Sequence, residues 1–108
     1  RDAQESRGLG DVYKRQARWA AIRYTANHLF GYIELDSRYA IVEVEVPPEW
    51  LGKSIGELEI RRKFGINVLA IKQNDITSYT ISPEMILTDQ MTLKVLGEYK
   101  ALQKHFHL

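Results

Sequence analysis

Residues 39–46 constrain the fold of this chain more than any other segment. β-Branched residues dominate the segment, and the glutamates between them alternate outward, as in a strand with one buried face. Two prolines follow at once, and proline can neither donate a hydrogen bond to a β-ladder nor continue a central strand. The segment therefore predicts a strand that ends in a turn. Its β-branched positions are Ile41, Val42, Val44 and Val46.

The rest of the chain combines short strand patterns with helical ones. Ser54 and Glu57 have the spacing of a capping box, which predicts the start of a short helix that Gly65 is placed to end. A closing helix is predicted over residues 98–106. Further strands are predicted over residues 67–72, 76–81 and 90–96, with a hairpin turn at residues 73–75.

The first 35 residues separate into a leader and a helix. Residues 1–16 show little apolar periodicity and predict a flexible leader or a non-native segment. Residues 17–30 place apolar side chains at intervals of three and four, which predicts a helix that Gly31 ends. We therefore expect a linking helix within residues 17–35 and one domain over residues 36–108. The order helix, β-α-β-β-β, helix predicts an α+β fold with a small, mainly antiparallel sheet.

Composition narrows the class of protein. A chain of 108 residues can close one hydrophobic core. Its formal net charge of +1 provides no strong field for DNA or RNA, so we expect no nucleic-acid polymer as a partner. The absence of cysteine excludes disulfides, thiolate metal sites and thiol nucleophiles. No apolar run approaches the roughly 20 residues of a membrane helix, and the sequence predicts a cytoplasmic location.

The polar residues do not form a catalytic pattern. His105 and His107 lie two positions apart without a third ligand nearby, which indicates surface histidines and no metal site. No serine stands in a Gly-x-Ser-x-Gly elbow, and Ser54 already serves as a helix cap. The sequence therefore predicts that the chain is not an enzyme, and an enzyme acting on nucleotides or acids is the alternative of a different class.

Residues 55–68 concentrate chemistry in a helix end and a strand start. Three consecutive cations, Arg61, Arg62 and Lys63, suit the last turn of a helix because they oppose its dipole. The planar fork of arginine beside the amide of Asn67 also suits a phosphodiester, and apolar walls suit a purine ring. The spacing of these residues alone does not decide between a structural role and a ligand-binding role.

The sequence also resembles a known family over roughly residues 17–106. The resemblance rests on the stretch YIELDSRYAIVEVEVPPEWLGKSIGELEIRRKFGINVLAIKQ, on Pro83 and on the tail TDQMTLKVLGEYKALQKH. These residues resemble the C-terminal regulatory subdomain of potassium-transport proteins, of the RCK_C or TrkA-C type. Within this family, the stretch YIEL resembles the sequences of Ktr-type cytosolic regulatory subunits. A lobe that binds ATP, ADP or NAD in such subunits would belong to a further N-terminal domain.

The resemblance implies a ligand and an assembly. Such subdomains form two-fold dimers, and in Ktr-type subunits the dimer cleft binds cyclic di-AMP, which lowers potassium uptake. The membrane potassium transporter would then be a partner through the full-length protein, at the inner face of the cell membrane. The implied ligand-binding residues are Ile55, Glu59, Arg61, Arg62, Ile66, Asn67, Val68 and Pro83.

The resemblance also implies roles for the residues that would touch the base. Ile55, Val68 and Pro83 would wall the adenine, and Glu59 would accept a hydrogen bond from its amino group. Gly56 stands where a larger apolar residue can pack on the base, which predicts a looser contact.

Two further residues would hold the phosphates, and one departs from the pattern. Arg61 and Asn67 are the implied phosphate ligands. Ile66 stands where a phosphate-facing histidine can occur in relatives, which predicts weaker binding. Another possibility is a dimerisation and coupling domain of a cation-transporter regulator that takes another anion, a cation or no small molecule. The last possibility is a purely structural assembly element that binds no ligand.

Overall fold

The computed structural model describes residue 22 and residues 29–108. Within these residues two strands come first, a short helical region and two further strands follow, and a last strand leads into the closing helix. The strands are β1 (Leu29–Glu34), β2 (Tyr39–Glu45), β3 (Asn67–Gln73), β4 (Ile76–Ser78) and β5 (Met91–Glu98). The helical elements are a 3-10 turn (Pro48–Trp50), α1 (Ile55–Leu58), a π turn (Ile60–Phe64) and α2 (Tyr99–Phe106).

The strands form one sheet in the order β1-β2-β5-β3-β4, and every neighbouring pair is antiparallel. The predicted α+β fold with a small antiparallel sheet is therefore confirmed. The predicted β2, β3 and β5 lie within two residues of their observed bounds, whereas β4 is only half as long as predicted. α2 confirms the closing helix. No helix of the described residues is long and apolar enough to cross a membrane.

The prediction of a helix that runs to Phe30 and ends at Gly31 is wrong at its end. Leu29 and Phe30 belong to β1, and Gly31 lies inside that strand. β1 pairs with β2, for example through Ile33 opposite Ile41, so the sheet begins before the predicted domain start at residue 36. Tertiary pairing with the β2 edge outweighs the helical spacing here. Of the predicted helix, Ile22 is helical; residues 17–21 and 23–28, like the leader 1–16, lie outside the described residues.

The predicted short helix is split into two turns. Its start is as expected: the Glu57 amide donates to Ser54 Oγ at 3.1 Å, and the Ser54 amide donates to Glu57 Oε1 at 2.7 Å. The backbone then turns left-handed at Glu59, with φ of 49°. Leu58 and Ile60 are both buried, and a regular helix would point positions two apart in nearly opposite directions. The break therefore lets both side chains enter the core.

The core lies between the inner face of the sheet and the helical elements. Trp50 joins them, because its ring stacks on Phe64 at 5.8 Å and meets Phe106 edge-on at 5.1 Å between centroids. Phe64 also contacts the His105 ring at 4.2 Å. This cluster fixes the π turn against α2, and the π turn carries the arginines singled out in the sequence. The fully buried side chains include Val42, Val44, Ile66, Leu87, Leu93, Val95, Leu102 and Phe106.

Of the two C-terminal histidines, His107 is at the surface as predicted, whereas His105 is not fully exposed. His105 is half-buried against Phe64, and burial lowers the pKa of its ring. His107 Nε2 lies 2.8 Å from Glu49 Oε2 on the 3-10 turn. Both residues hold the end of α2 to the rest of the domain. Across the described chain no three potential metal ligands lie together.

Candidate functional site

A cleft of about 470 Å³ opens where α1, the π turn and the start of β3 meet. Its size lies within the range of about 300–1,000 Å³ typical of small-molecule sites. Most of the lining comes from the segment 55–68, and one residue comes from the chain that follows β4. The lining residues are Ile55, Gly56, Glu59, Ile60, Arg61, Arg62, Ile66, Asn67, Val68 and Ile81.

The structure brings seven of the eight predicted site residues to this cleft, and Pro83 is the exception. Pro83 lies behind Gly56, whose amide donates to the Pro83 carbonyl at 2.8 Å. Sequence reasoning missed Ile60 and Ile81. The left-handed turn before Ile60 carries no strong sequence signal. The only sequence signal for Ile81 is that it is an apolar residue two positions before a proline, and this does not indicate a contact with the cleft.

The cleft has a buried floor and an exposed rim. Ile60 is 3% exposed and Ile66 is 0% exposed, so both lie beneath the surface that a ligand would touch. Ile66 belongs to the hydrophobic core instead: a methyl group built on Gly97 would lie 3.3 Å from Ile66 Cγ1. Ile66 therefore lines the cleft only as part of its buried floor, which agrees with its place as a departure from relatives that carry a phosphate-facing histidine there. Ile55, Asn67 and Val68 are half-buried and form the accessible walls.

An ion-pair network occupies one side of the rim. Arg62 Nε donates to Glu59 Oε1 at 2.8 Å, and its Nη2 lies 2.7 Å from the same oxygen. Lys63 Nζ lies 3.5 Å from Glu59 Oε2. The Arg62 hydrogen bond holds the pKa of the Glu59 carboxyl below its usual range, so the group is ionised at neutral pH. Arg62 is thus already engaged, while the Glu59 carboxylate keeps lone pairs for a further donor.

Arg61 differs from its two cationic neighbours. It is exposed, it lines the cleft, and among the described residues no carboxylate forms an ion pair with it. Its guanidinium therefore offers its planar set of donors to an anion without first breaking a contact. Two cations of the lining, Arg61 and Arg62, and one carboxylate, Glu59, give this rim an excess of positive charge. An anion with an apolar ring system matches both the rim and the walls.

Gly56 is required by the approach of Pro83. A Cβ built on Gly56 would lie 3.0 Å from both Pro83 Cβ and the Pro83 carbonyl oxygen, which is tighter than nine in ten real Cβ contacts. The absence of a side chain lets the segment after β4 pack against α1, where Ile55 also donates to the Met85 carbonyl at 3.0 Å. Gly56 therefore does not simply leave space over a base; it allows the wall of the cleft to close.

We expect Gly56→Ala to destabilise the domain by about 1–3 kcal/mol, the usual cost of forcing extra atoms into a packed contact. The measurement is the free energy of unfolding in urea. Gly31→Ala is the matched control, since the nearest atom to its new Cβ is Glu43 Oε1 at 3.3 Å, the end of a flexible side chain. Equal stability of Gly56→Ala and the unmodified chain would contradict the close packing of Pro83 on α1.

Comparison with known proteins gives consistent matches. The family model described as the TrkA-C domain matches residues 40–106. The Ktr system potassium uptake protein A of Bacillus subtilis (strain 168) is 32% identical over 77 residues, which is 71% of this chain and 35% of that protein. The chain thus spans about a third of the length of this curated relative.

Two solved structures show the same fold. The GsuK RCK domain aligns with a TM-score of 0.58 and 29% identity, over 75% of this chain and 18% of that one. The RCK C domain of the potassium transport protein KtrA, solved in complex with cyclic diadenosine monophosphate, aligns with a TM-score of 0.57 and 23% identity. That alignment covers 87% of this chain and 99% of the other.

Proposed function

Because the chain belongs to the TrkA-C domain family, we propose that it is the regulatory domain of a Ktr-type potassium transport system. In this role it binds cyclic di-AMP between two copies of itself and thereby lowers potassium uptake. It regulates by binding a ligand and catalyses no reaction. It is located on the cytoplasmic side of the membrane, where its partner is a membrane transporter subunit. A nucleotide-binding lobe for ATP, ADP or NAD belongs to a further part of the full-length protein.

The observation that carries the proposal is Arg61, an arginine without an ion-pair partner among the described residues, at the rim of a cleft with apolar walls. A charge-assisted bond from guanidinium to phosphate is about twice as strong as a neutral hydrogen bond. Asn67 stands beside it as an amide donor, and Ile55 and Val68 offer the flat apolar contact that a purine needs. Glu59 keeps acceptor capacity for an exocyclic amino group.

The symmetry of the ligand argues for two copies of the chain. Cyclic di-AMP has two equivalent adenosine phosphates, and a two-fold dimer presents the same surface twice. One cleft of about 470 Å³ per copy would hold one half of the ligand. The KtrA domain of the same fold was solved with this compound, which supports its choice as the ligand to test, while Arg61 and the apolar walls support it for this chain.

Regulation follows if the ligand prefers one arrangement of the two copies. A ligand shifts an equilibrium only by its difference in affinity for the two states. Two Arg61 side chains that converge on one dianion stabilise the closed arrangement over an open one, because like charges repel when the ligand is absent. Coupling to the transporter then requires that the two arrangements contact it differently.

The test is a titration of the chain with cyclic di-AMP by calorimetry, combined with the mass in solution. We expect saturable binding with one ligand per two chains. At about 100 times the dissociation constant, the ligand should add roughly 2.7 kcal/mol to the free energy of unfolding. ATP and NAD should give no comparable stabilisation. Saturable binding of ATP or NAD without binding of cyclic di-AMP, or one ligand per monomer, would contradict the proposal.

A second function keeps the fold and changes the input. Position 66 on the floor of the cleft is a buried isoleucine, which cannot bind a phosphate, and Glu59 already pairs with two of the three nearby cations. These observations favour a dimerisation and coupling domain that takes a different anion or no small molecule. A thermal-shift panel of cyclic dinucleotides and inorganic phosphate separates the two functions, since only the first gives a selective shift with cyclic di-AMP.

A further inference from the structure

β4 presents a free edge whose hydrogen-bonding groups can be assigned from its turn. Asn74 and Asp75 both have positive φ, of 55° and 64°, as in a two-residue type I′ hairpin. The flanking residues Gln73 and Ile76 are paired, and in such a hairpin they exchange both backbone hydrogen bonds. Because the direction of the amide and carbonyl groups alternates along a strand, those of Thr77 point away from β3.

Ser78 is opposite Ile71 and faces β3, and Tyr79 is the first residue beyond the strand. Extended backbone through Tyr79 would turn its amide and carbonyl groups outward like those of Thr77. The edge of the sheet would then offer two donors and two acceptors. Within the described residues, β4 is the last strand of the sheet order, and no strand pairs with its outer side.

This edge lacks several of the features that protect a sheet from pairing with another chain. Natural edge strands are short or carry lysine, proline or a bulge. β4 is short, with three residues, but residues 76–79 contain no lysine or proline, and the register between β3 and β4 is regular. Ile76 and Tyr79 are instead 73% and 70% exposed, more than the other exposed large hydrophobic residues of the described chain. The opposite edge, β1, does have an irregularity, between Leu29 and Gly31. β4 is therefore the edge available for pairing.

We propose that β4 pairs antiparallel with β4 of a second copy of this chain, around a two-fold axis at Ser78. An antiparallel strand pair is self-complementary under a two-fold axis, as a symmetric dimer contact must be. With the axis at Ser78, Thr77 lies opposite the partner's Tyr79, and the outward groups of both residues are satisfied. An axis at Thr77 would satisfy only that residue and leave Tyr79 unpaired.

The pairing also brings the two clefts toward one axis. Ile81, three positions beyond Ser78, lines the cleft. Asn67 and Val68 also line it, at the start of β3, whereas the part of β3 that pairs with β4 is Ile71–Gln73. The chain that leaves this edge therefore reaches the cleft, whereas β1 lies at the far side of the sheet. That the interface completes a ligand site rests on the proposed function; the strand pairing itself rests on the edge alone.

The absence of cysteine in the chain permits a test of the register. In the proposed pairing, Ser78 faces its own copy as a non-hydrogen-bonded pair, with Cα atoms about 4.5 Å apart, within the range that a disulfide spans. S78C should form a disulfide-linked dimer under mild oxidation without any ligand. I76C is the control, because position 76 lies opposite the partner's Thr80 and should not link. Cross-linking of S78C no faster than I76C would overturn the proposal.

A second variant covers the case in which S78C does not fold. Thr77→Pro removes an amide hydrogen that points away from β3, and proline is tolerated at such edge positions. Sedimentation should show a dimer for the unmodified chain and a dissociation constant raised about tenfold or more for the variant, with thermal unfolding of the monomer preserved. A monomeric unmodified chain, or an equally strong dimer of the variant, would overturn the proposal.

The two proposals fail in different ways. Linked S78C dimers together with no binding of cyclic di-AMP would leave the pairing in place and contradict the ligand. Binding of cyclic di-AMP by a dimer in which S78C does not link would support the ligand and contradict the pairing through β4.

Discussion

Arg61→Ala should weaken the binding of cyclic di-AMP by about 10- to 150-fold, which corresponds to the roughly 1.5–3 kcal/mol of a hydrogen bond to a charged group. The effect is large because Arg61 has no carboxylate partner among the described residues and lines the proposed cleft. The fold should be preserved because the Arg61 side chain is exposed. The C-terminal end of the π turn is held by the packing of Phe64 on Trp50 and by the left-handed backbone of Gly65. Calorimetry measures the affinity, and thermal unfolding without ligand checks the fold.

Lys63→Ala is the matched control for charge. Lys63 lies two residues further along the same π turn and has the same charge, but it is not part of the cleft lining. Its loss removes the 3.5 Å contact with Glu59, which keeps its bond to Arg62, and otherwise changes affinity through long-range attraction, which salt screens over about 10 Å at 0.1 M. An equal loss for Lys63→Ala and Arg61→Ala would show that net charge alone draws the ligand. Unchanged affinity of Arg61→Ala would remove this residue from the site.

Arg62→Ala distinguishes a direct contact from a positioning effect. Arg62 lines the cleft, but its guanidinium is held by Glu59. We expect a smaller loss of affinity than for Arg61→Ala, because the removed group was not free to bind a phosphate. A loss as large as that of Arg61→Ala would mean that Arg62 leaves Glu59 to reach the ligand.

The strands β2, β3 and β5 could be predicted from the sequence because their signals are local and agree with the tertiary structure. β2 combines alternating burial with two closing prolines, and the β3–β4 turn has Asn74 and Asp75, which tolerate positive φ. β1 could not be predicted because its LFGYIE sequence continues an apolar spacing that also suits a helix. Only the pairing with β2, a long-range contact, decides between the two conformations.

The site could be predicted as far as one continuous segment supplies it. The capping box, the cations and Asn67 lie within residues 54–67 and come together through local geometry. Ile81 approaches from a distant part of the chain, and no local pattern places it there. The burial of Ile66 could not be predicted, because the orientation after Gly65 depends on its left-handed backbone, with φ of 70°. Neighbouring residues of an extended chain then face opposite sides, so Ile66 enters the core while Asn67 faces the cleft.

The burial of Ile66 leads to the second large effect. Ile66→His, which introduces the residue that can occur in relatives, should lower the free energy of unfolding by about 2–4 kcal/mol. The substitution exchanges a fully buried apolar side chain for one whose ring nitrogens enter an apolar core. It should not tighten the binding of cyclic di-AMP, because the side chain lies below the floor of the cleft. Urea unfolding and calorimetry measure the two quantities.

The pH dependence of the free energy of unfolding shows whether burial of the histidine ring causes the loss of stability in Ile66→His. A histidine forced into the core has a depressed pKa in the folded state, whereas in the unfolded state it titrates near about 6.5. Below that pH the unfolded chain binds a proton that the folded chain refuses, so the destabilisation grows as the pH falls. Ile66→Val is the control, with an expected cost of about 0.5–1.5 kcal/mol and no added pH dependence. An Ile66→His variant that is as stable as the unmodified chain at about pH 5, and that binds cyclic di-AMP more tightly, would show that position 66 can turn toward the ligand. The positions of Ile66 and Asn67 on opposite sides of the chain would then have to be reversed.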